Sequence, residues 1–150
     1  MKKLVSGAAL AATLFLSTSA AVAAPTVHGS IWFVDAASAE NAVPANIPAR
    51  APDVTFDAPS SPIDFSLGDS GSETLGTFLA SGGAFNLIEN TIGALTTVTN
   101  NTLWLFEGTV SVTNGQVFSV GHDDGLTLII GGLDLGFDPG PTSPVVTDTT

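Results

Sequence analysis

The stretch from Leu103 to Leu135 constrains the fold more than any other, because it holds three or four strand-like runs punctuated by turns. Trp104, Phe106, Gly108, Val110 and Val112 share one face of an extended chain, while Glu107, Thr109 and Ser111 take the other. After a turn, Phe118 and Val120 flank the polar Ser119. A two-residue Asn114-Gly115 loop would set Phe118 opposite Ser111 and mix the faces. A three-residue loop, Thr113-Asn114-Gly115, pairs Val110 with Phe118 and Gly108 with Val120, and gives Gly115 the left-handed position of a bulged hairpin. A slip of one residue turns a whole strand inside out, so the three-residue loop is the expected one. Further on, Gly131-Gly132 as a two-residue loop pairs Ile130 with Leu133, Leu128 with Leu135 and Leu126 with Phe137. The pattern predicts an antiparallel meander with one buried face.

The N-terminus reads as an export signal. Met1-Lys2-Lys3 gives a positive start, an apolar run spans Leu4 to Leu16, and Ala21-Val22-Ala23 has the small-x-small pattern of a cleavage site. Residues 1–23 are therefore expected to be a bacterial-type signal peptide and 24–150 the mature domain. The apolar run is too short for a membrane helix, and no later segment is long enough to span a bilayer. The expected destination is extracellular or the cell surface.

Export changes the charge argument. Of the three basic residues, Lys2 and Lys3 leave with the signal, so Arg50 faces all 14 acidic residues. Such a chain cannot neutralise phosphates, which excludes nucleic acid as a partner, and it disfavours anionic lipid for the same reason. Cysteine is absent, so neither disulfides nor thiolate chemistry is available. Stability has to come from a hydrophobic core, and about 125 mature residues suffice for one modest domain.

Other elements follow in order. Residues 27–34 predict a first strand, with Ile31 and Phe33 on one face and Trp32 and Val34 on the other. Pro44, Pro48, Pro52, Pro59 and Pro62 mark 35–62 as a Pro-rich connector, carrying at most a short edge strand at Val54-Thr55-Phe56. Ile63, Phe65 and Leu67 alternate. Ser72 is the expected cap of a two-turn helix with a Leu75, Phe78, Leu79 stripe, stopped by Gly82-Gly83. From Ala84 to Asn101 the pattern weakens to a loop or irregular strand pair.

Few catalytic constellations are open to a chain with two histidines, no cysteine and no tyrosine. His122 stands next to Asp123, but neighbours in a strand point to opposite faces. No G-x-S-x-G elbow is present, and zinc wants more His or Cys. The reading is a non-enzymatic protein. Asp123-Asp124-Gly125 is the most chemically suggestive feature, since hard oxygen ligands at a tight bend suit Ca²⁺. Two carboxylates cannot fill a shell of six to eight ligands, so other oxygens are needed, with Asp134, Asp138, Asn100 and Asn101 available. The alternative is that Asp-Gly serves only as a turn dipeptide.

Phe106-Glu-Gly-Thr-Val-Ser-Val, Asn114-Gly-Gln-Val-Phe-Ser-Val and Asp123-Asp-Gly-Leu-Thr-Leu-Ile-Ile-Gly-Gly, in this order and spacing, resemble the core of the PA14 domain. The specific likeness covers about 103–135, with a weaker one over most of the mature chain, including the Pro139-Gly-Pro-Thr-Ser-Pro tail; it points to PA14-like exported proteins of bacteria, some carrying a C-terminal sorting signal. The resemblance implies an all-β antiparallel β-sandwich with one short helix, and in its sugar-binding members a Ca²⁺ held by the two acids that also meets sugar hydroxyls. Carried over, Asp123 and Asp124 become the metal ligands and the glycan-binding residues. A strand starting near Pro144-Val145-Val146 is expected still to be completing the sheet where the chain stops, so the expected domain is incomplete at its C-terminus. The alternative function is a structural extracellular-matrix or surface protein with no sugar or metal site.

Overall fold

A computed structural model of the chain describes residues 26–60, 63–65, 72–122 and 124–149. The expected signal peptide at 1–23, Leu67 and Asp123 lie outside them. The strands are β1 (Thr26–Phe33), β2 (Val54–Pro59), β3 (Phe85–Glu89), β4 (Thr102–Gly108), β5 (Ser119–His122), β6 (Ile129–Ile130), β7 (Leu133–Asp134) and β8 (Val145–Asp148). Two short helices, α1 (Ala36–Ala39) and α2 (Leu75–Ser81), complete the set with 3₁₀ turns at Pro44–Asn46 and Ala94–Thr96. The fold is all-β. Its main sheet is antiparallel with strand order β3-β2-β1-β4, and two two-stranded sheets, β5-β8 and β6-β7, follow.

β1 is the centre of the main sheet because its alternation lets both neighbours stack in register. Gly29 faces Phe56 on one side and Phe106 on the other, and Ile31 faces Val54 and Trp104. Ile31, Val54 and Phe56 are fully buried, and Leu75, Leu79 and Ala94 cover them from α2 and the second 3₁₀ turn. Phe56 is ringed edge-on by Phe65, Trp104 and Phe106, with centroids 5.6 to 6.0 Å away. Phe78 stacks on Phe65 at 6.2 Å. This aromatic layer is the heart of the molecule, and each such pair adds about 0.5–1.5 kcal/mol beyond the area it buries.

Trp104 and Phe106 share the packed face as their spacing predicts, but the strand beside them is not the expected one. β4 ends at Gly108, which pairs with Val27 of β1, and not with Val120. Val110 and Val112 lie beyond its end, 48% and 47% exposed. Alternation fixes a face without naming a partner, and β1 offers the Gly29 gap over which the Phe56 ring lies. The Thr113–Gln116 turn does form, with Gln116 N–H on the Thr113 carbonyl at 3.0 Å and Gly115 at φ +78°. β5 then pairs with β8 rather than with β4, His122 opposite Val145. The meander is thus replaced by a sheet that joins distant segments.

The Gly131-Gly132 hairpin is as expected: Ile130 faces Leu133, and Leu135 N–H reaches the Leu128 carbonyl at 3.0 Å. Past Gly136 the ladder slips by one place, so Leu126 N–H meets the Asp138 carbonyl in place of Phe137. The Pro-rich connector holds more structure than its composition predicts. Pro52 precedes β2 and Pro59 closes it, leaving the Val54, Phe56, Ala58 alternation free to form an interior strand and not an edge. The cap of α2 is Thr74 and not Ser72: the Thr74 hydroxyl accepts Thr77 N–H at 3.3 Å, and Thr74 is tied to Val98 by a β-bridge. The 84–101 segment resolves into β3 and the 3₁₀ turn.

Candidate functional site

The acidic bend follows β5. Asp124 adopts a left-handed conformation, φ 60°, which Asp tolerates better than most side chains, and its N–H reaches the Thr142 carbonyl at 3.3 Å. Gly125 lies directly on the backbone of Pro139, so closely that a Cβ there would overlap the Pro139 carbonyl oxygen. The Leu126–Asp138 bond continues the same contact. The bend is therefore strapped to the 138–142 loop through main chain. Gly125→Ala is expected to cost about 1–3 kcal/mol in urea unfolding, because the loop must move. Gly121→Ala is its control: a Cβ there makes ordinary contact with Val146, and its loss should be much smaller.

His122 serves the same brace. Its Nδ1 lies 2.8 Å from the Asp124 carbonyl, which can only accept, so Nδ1 carries the proton. Nε2 is then an acceptor for the Thr147 hydroxyl at 3.3 Å, and Phe137 meets the ring edge-on at 6.3 Å. Both nitrogens hold the bend to β8.

The remaining oxygen candidates divide. Asp138 is beside the bend through its backbone bond to Leu126, and its Oδ1 accepts Gly140 N–H at 2.9 Å. Asp134 lies farther along, opposite Ile129, with its Oδ1 on Gly136 N–H at 2.9 Å. The Asn101 carbonyl accepts Val34 N–H just past the end of β1, so Asn101 and Asn100 stand in the turn that leads into β4 of the main sheet. Among the described residues no three His, Asp or Glu side chains converge on one point, and Asp123 is not among those residues. Beside His122 runs an open groove of about 540 Å³, walled by Ile63, Phe65, Val145 and Val146 with Asp64 at its rim.

Two polar clusters were not foreseen. Asp53, 5% exposed, receives both terminal nitrogens of Arg50 at 2.8 and 3.0 Å, Phe33 N–H at 2.8 Å and the Thr91 hydroxyl at 2.6 Å. Its carboxyl is held down to about 2 by the Arg50 bonds first, then by Thr91 and Phe33, against the opposing effect of burial. Arg50, one of three basic residues and three positions from an acid, was a visible signal for this pair; the burial of Asp53 was not. On the outer face of the sheet, Asp57 takes Asn86 Nδ2 at 2.8 Å and sits 3.1 Å from His28 Nδ1. Those two partners, Asn86 foremost, lower its pKa. Asn86 reaches it because β3 is irregular there and Asn86 stands at φ 52°.

Among the described residues no helix is long and apolar enough to cross a membrane. No family model matches the chain, and neither a curated protein nor a solved structure does.

Proposed function

We infer that the chain is a secreted, non-enzymatic, PA14-like β-sandwich domain that recognises carbohydrate at the cell surface through Ca²⁺ held by Asp123 and Asp124. The observation that carries this reading is the main-chain brace of the bend on the 138–142 loop. A bend held by backbone is ordered in advance, and it brings the Asp138 carboxylate and loop carbonyls to the same end of the molecule. Hard oxygens of this kind are what a shell of six to eight ligands needs. The adjoining groove supports a sugar: its apolar walls suit the C–H face of a pyranose, and Asp64 lines it among them.

Titration calorimetry with Ca²⁺, followed by a glycan array with and without chelator, tests the reading. Wild type is expected to take up calcium, and Asp124→Asn to lose at least tenfold in affinity, about 1.4 kcal/mol. Asparagine is the right substitute, since it also tolerates the left-handed backbone. Saturation at a hundredfold excess over Kd should raise stability by about 2.7 kcal/mol. Wild type that binds no calcium, or Asp124→Asn that binds as well, sinks the proposal.

One observation favours the second reading, a structural surface protein. Val110, Val112, Val117, Leu133 and Val146 are all exposed, and β3 and β4 leave the main sheet with two edges. Self-association unchanged by chelator, in a chain that binds no glycan, is what that reading expects.

A further inference from the structure

We propose that Asn114 is a site of spontaneous covalent modification, at which the Asn114-Gly115 peptide passes through a succinimide to aspartate and isoaspartate. The turn that holds these residues leaves them open. Asn114 and Gly115 are both exposed, and a Cβ built on Gly115 meets nothing within 4 Å. The turn is closed by its flanks, with Gln116 N–H on the Thr113 carbonyl at 3.0 Å and Thr113 N–H on the Gln116 side-chain oxygen at 3.1 Å. Gly115 N–H takes no part in either bond and makes none to another described residue. It is an unhindered nitrogen, next to an amide carbon, in a segment outside every strand.

The chemistry needs only water. Loss of the Gly115 amide proton lets its nitrogen attack Cγ of Asn114; the new N–Cγ bond forms as the Cγ–Nδ2 bond breaks and ammonia leaves. Water then opens the ring at either carbonyl. One opening restores a normal peptide with an aspartate side chain, and the other routes the main chain through Cγ as isoaspartate. Either adds a carboxylate to a chain already rich in them. The isoaspartate route also lengthens the backbone by one methylene inside the turn, which the Gln116–Thr113 bond cannot span unchanged. The turn forms one lip of a second groove, of about 300 Å³, whose walls include Val112, Phe118, Ile130 and Leu133, so the new charge appears beside apolar surface.

The rest of the molecule supplies contrasts. The side-chain amides of Asn41, Asn46, Asn86 and Asn90 donate to oxygens at 2.8 to 3.1 Å, and none is followed by glycine. Asp124-Gly125 has the right sequence for the same ring, but Gly125 is pressed onto Pro139.

Purified chain is held at mildly alkaline pH, then digested with chymotrypsin and mapped by mass spectrometry; isoaspartate is read by enzymatic methyl transfer. Folded chain, urea-unfolded chain and Asn114→Gln run side by side. In the folded chain Asn114 is expected to exchange amide for hydroxyl ahead of every other asparagine, with methyl acceptance lost in Asn114→Gln. Isoaspartate at Asp124 should appear only on unfolding. Folded chain that keeps Asn114 intact while the unfolded chain converts overturns the proposal, as does methyl acceptance undiminished in Asn114→Gln.

Discussion

Asp53→Ala should lower the unfolding free energy by about 1–3 kcal/mol for each part-buried donor it leaves without an acceptor, Arg50 itself being half-exposed and open to water. The loss exceeds the pair itself, because the Phe33 N–H and the Thr91 hydroxyl lose their acceptor together with Arg50. Asp53 also carries the β1–β2 junction in its backbone: its N–H reaches the Ile31 carbonyl, and its own carbonyl takes Asn90 and Thr91 N–H. Urea unfolding at neutral pH measures the cost. The pH dependence follows from the carboxyl held down to about 2 against an ordinary 3.8. A depressed folded-state pKa means that the unfolded chain binds the proton more readily. The contribution is therefore complete above about pH 4 and fades as pH falls towards 2. Its size is roughly 2 kcal/mol, from 1.36 kcal/mol per pKa unit. The gap between wild type and Asp53→Asn should narrow by that amount across the window. A gap of equal size at pH 6 and pH 2 would show that Asp53 is not the titrating group.

Asp53 also marks where reading residues in order stops working. Arg50 and Asp53 stand three apart in a chain with only three basic residues, so their pairing is visible in the sequence. That Asp53 is buried depends on Phe33 and Thr91, residues that only the assembled sheet brings over. The same boundary runs through the fold. Faces, turns and stops are local, and the Trp104/Phe106 face, the Gly131-Gly132 hairpin and the Gly82 stop were all legible. Partners are not local. β4 was expected to turn back on the strand that follows it and instead pairs with β1, seventy-odd residues away by the Ile31–Trp104 register. Composition misled once, because prolines 52 and 59 bracket β2 without entering its paired interior. At the acidic bend the position of the turn was legible from Asp-Asp-Gly, whereas the Pro139 and Thr142 strap has no pattern of its own.

Phe56→Ala is the other large effect, expected at about 3–5 kcal/mol for a buried aromatic truncated to a methyl. Phe56 is 1% exposed and meets three rings edge-on, so both transfer and cavity terms apply in full. What makes the site informative is its partner across the register. A Cβ on Gly29 would fall inside the Phe56 ring, so Gly29→Ala alone should cost about 1–3 kcal/mol through overpacking. In the Phe56→Ala background the same methyl enters the space the ring has left. The second substitution should then be nearly neutral or restore part of the loss, a coupling of about 1–3 kcal/mol favouring the double variant. Gly108→Ala is the comparison, since its Cβ would press on Val27 at 2.8 Å and not on Phe56. Its cost should be the same in both backgrounds. Additive losses for Gly29→Ala and Phe56→Ala would mean that the ring does not lie over Gly29, and the register of β1 between β2 and β4 would have to be redrawn.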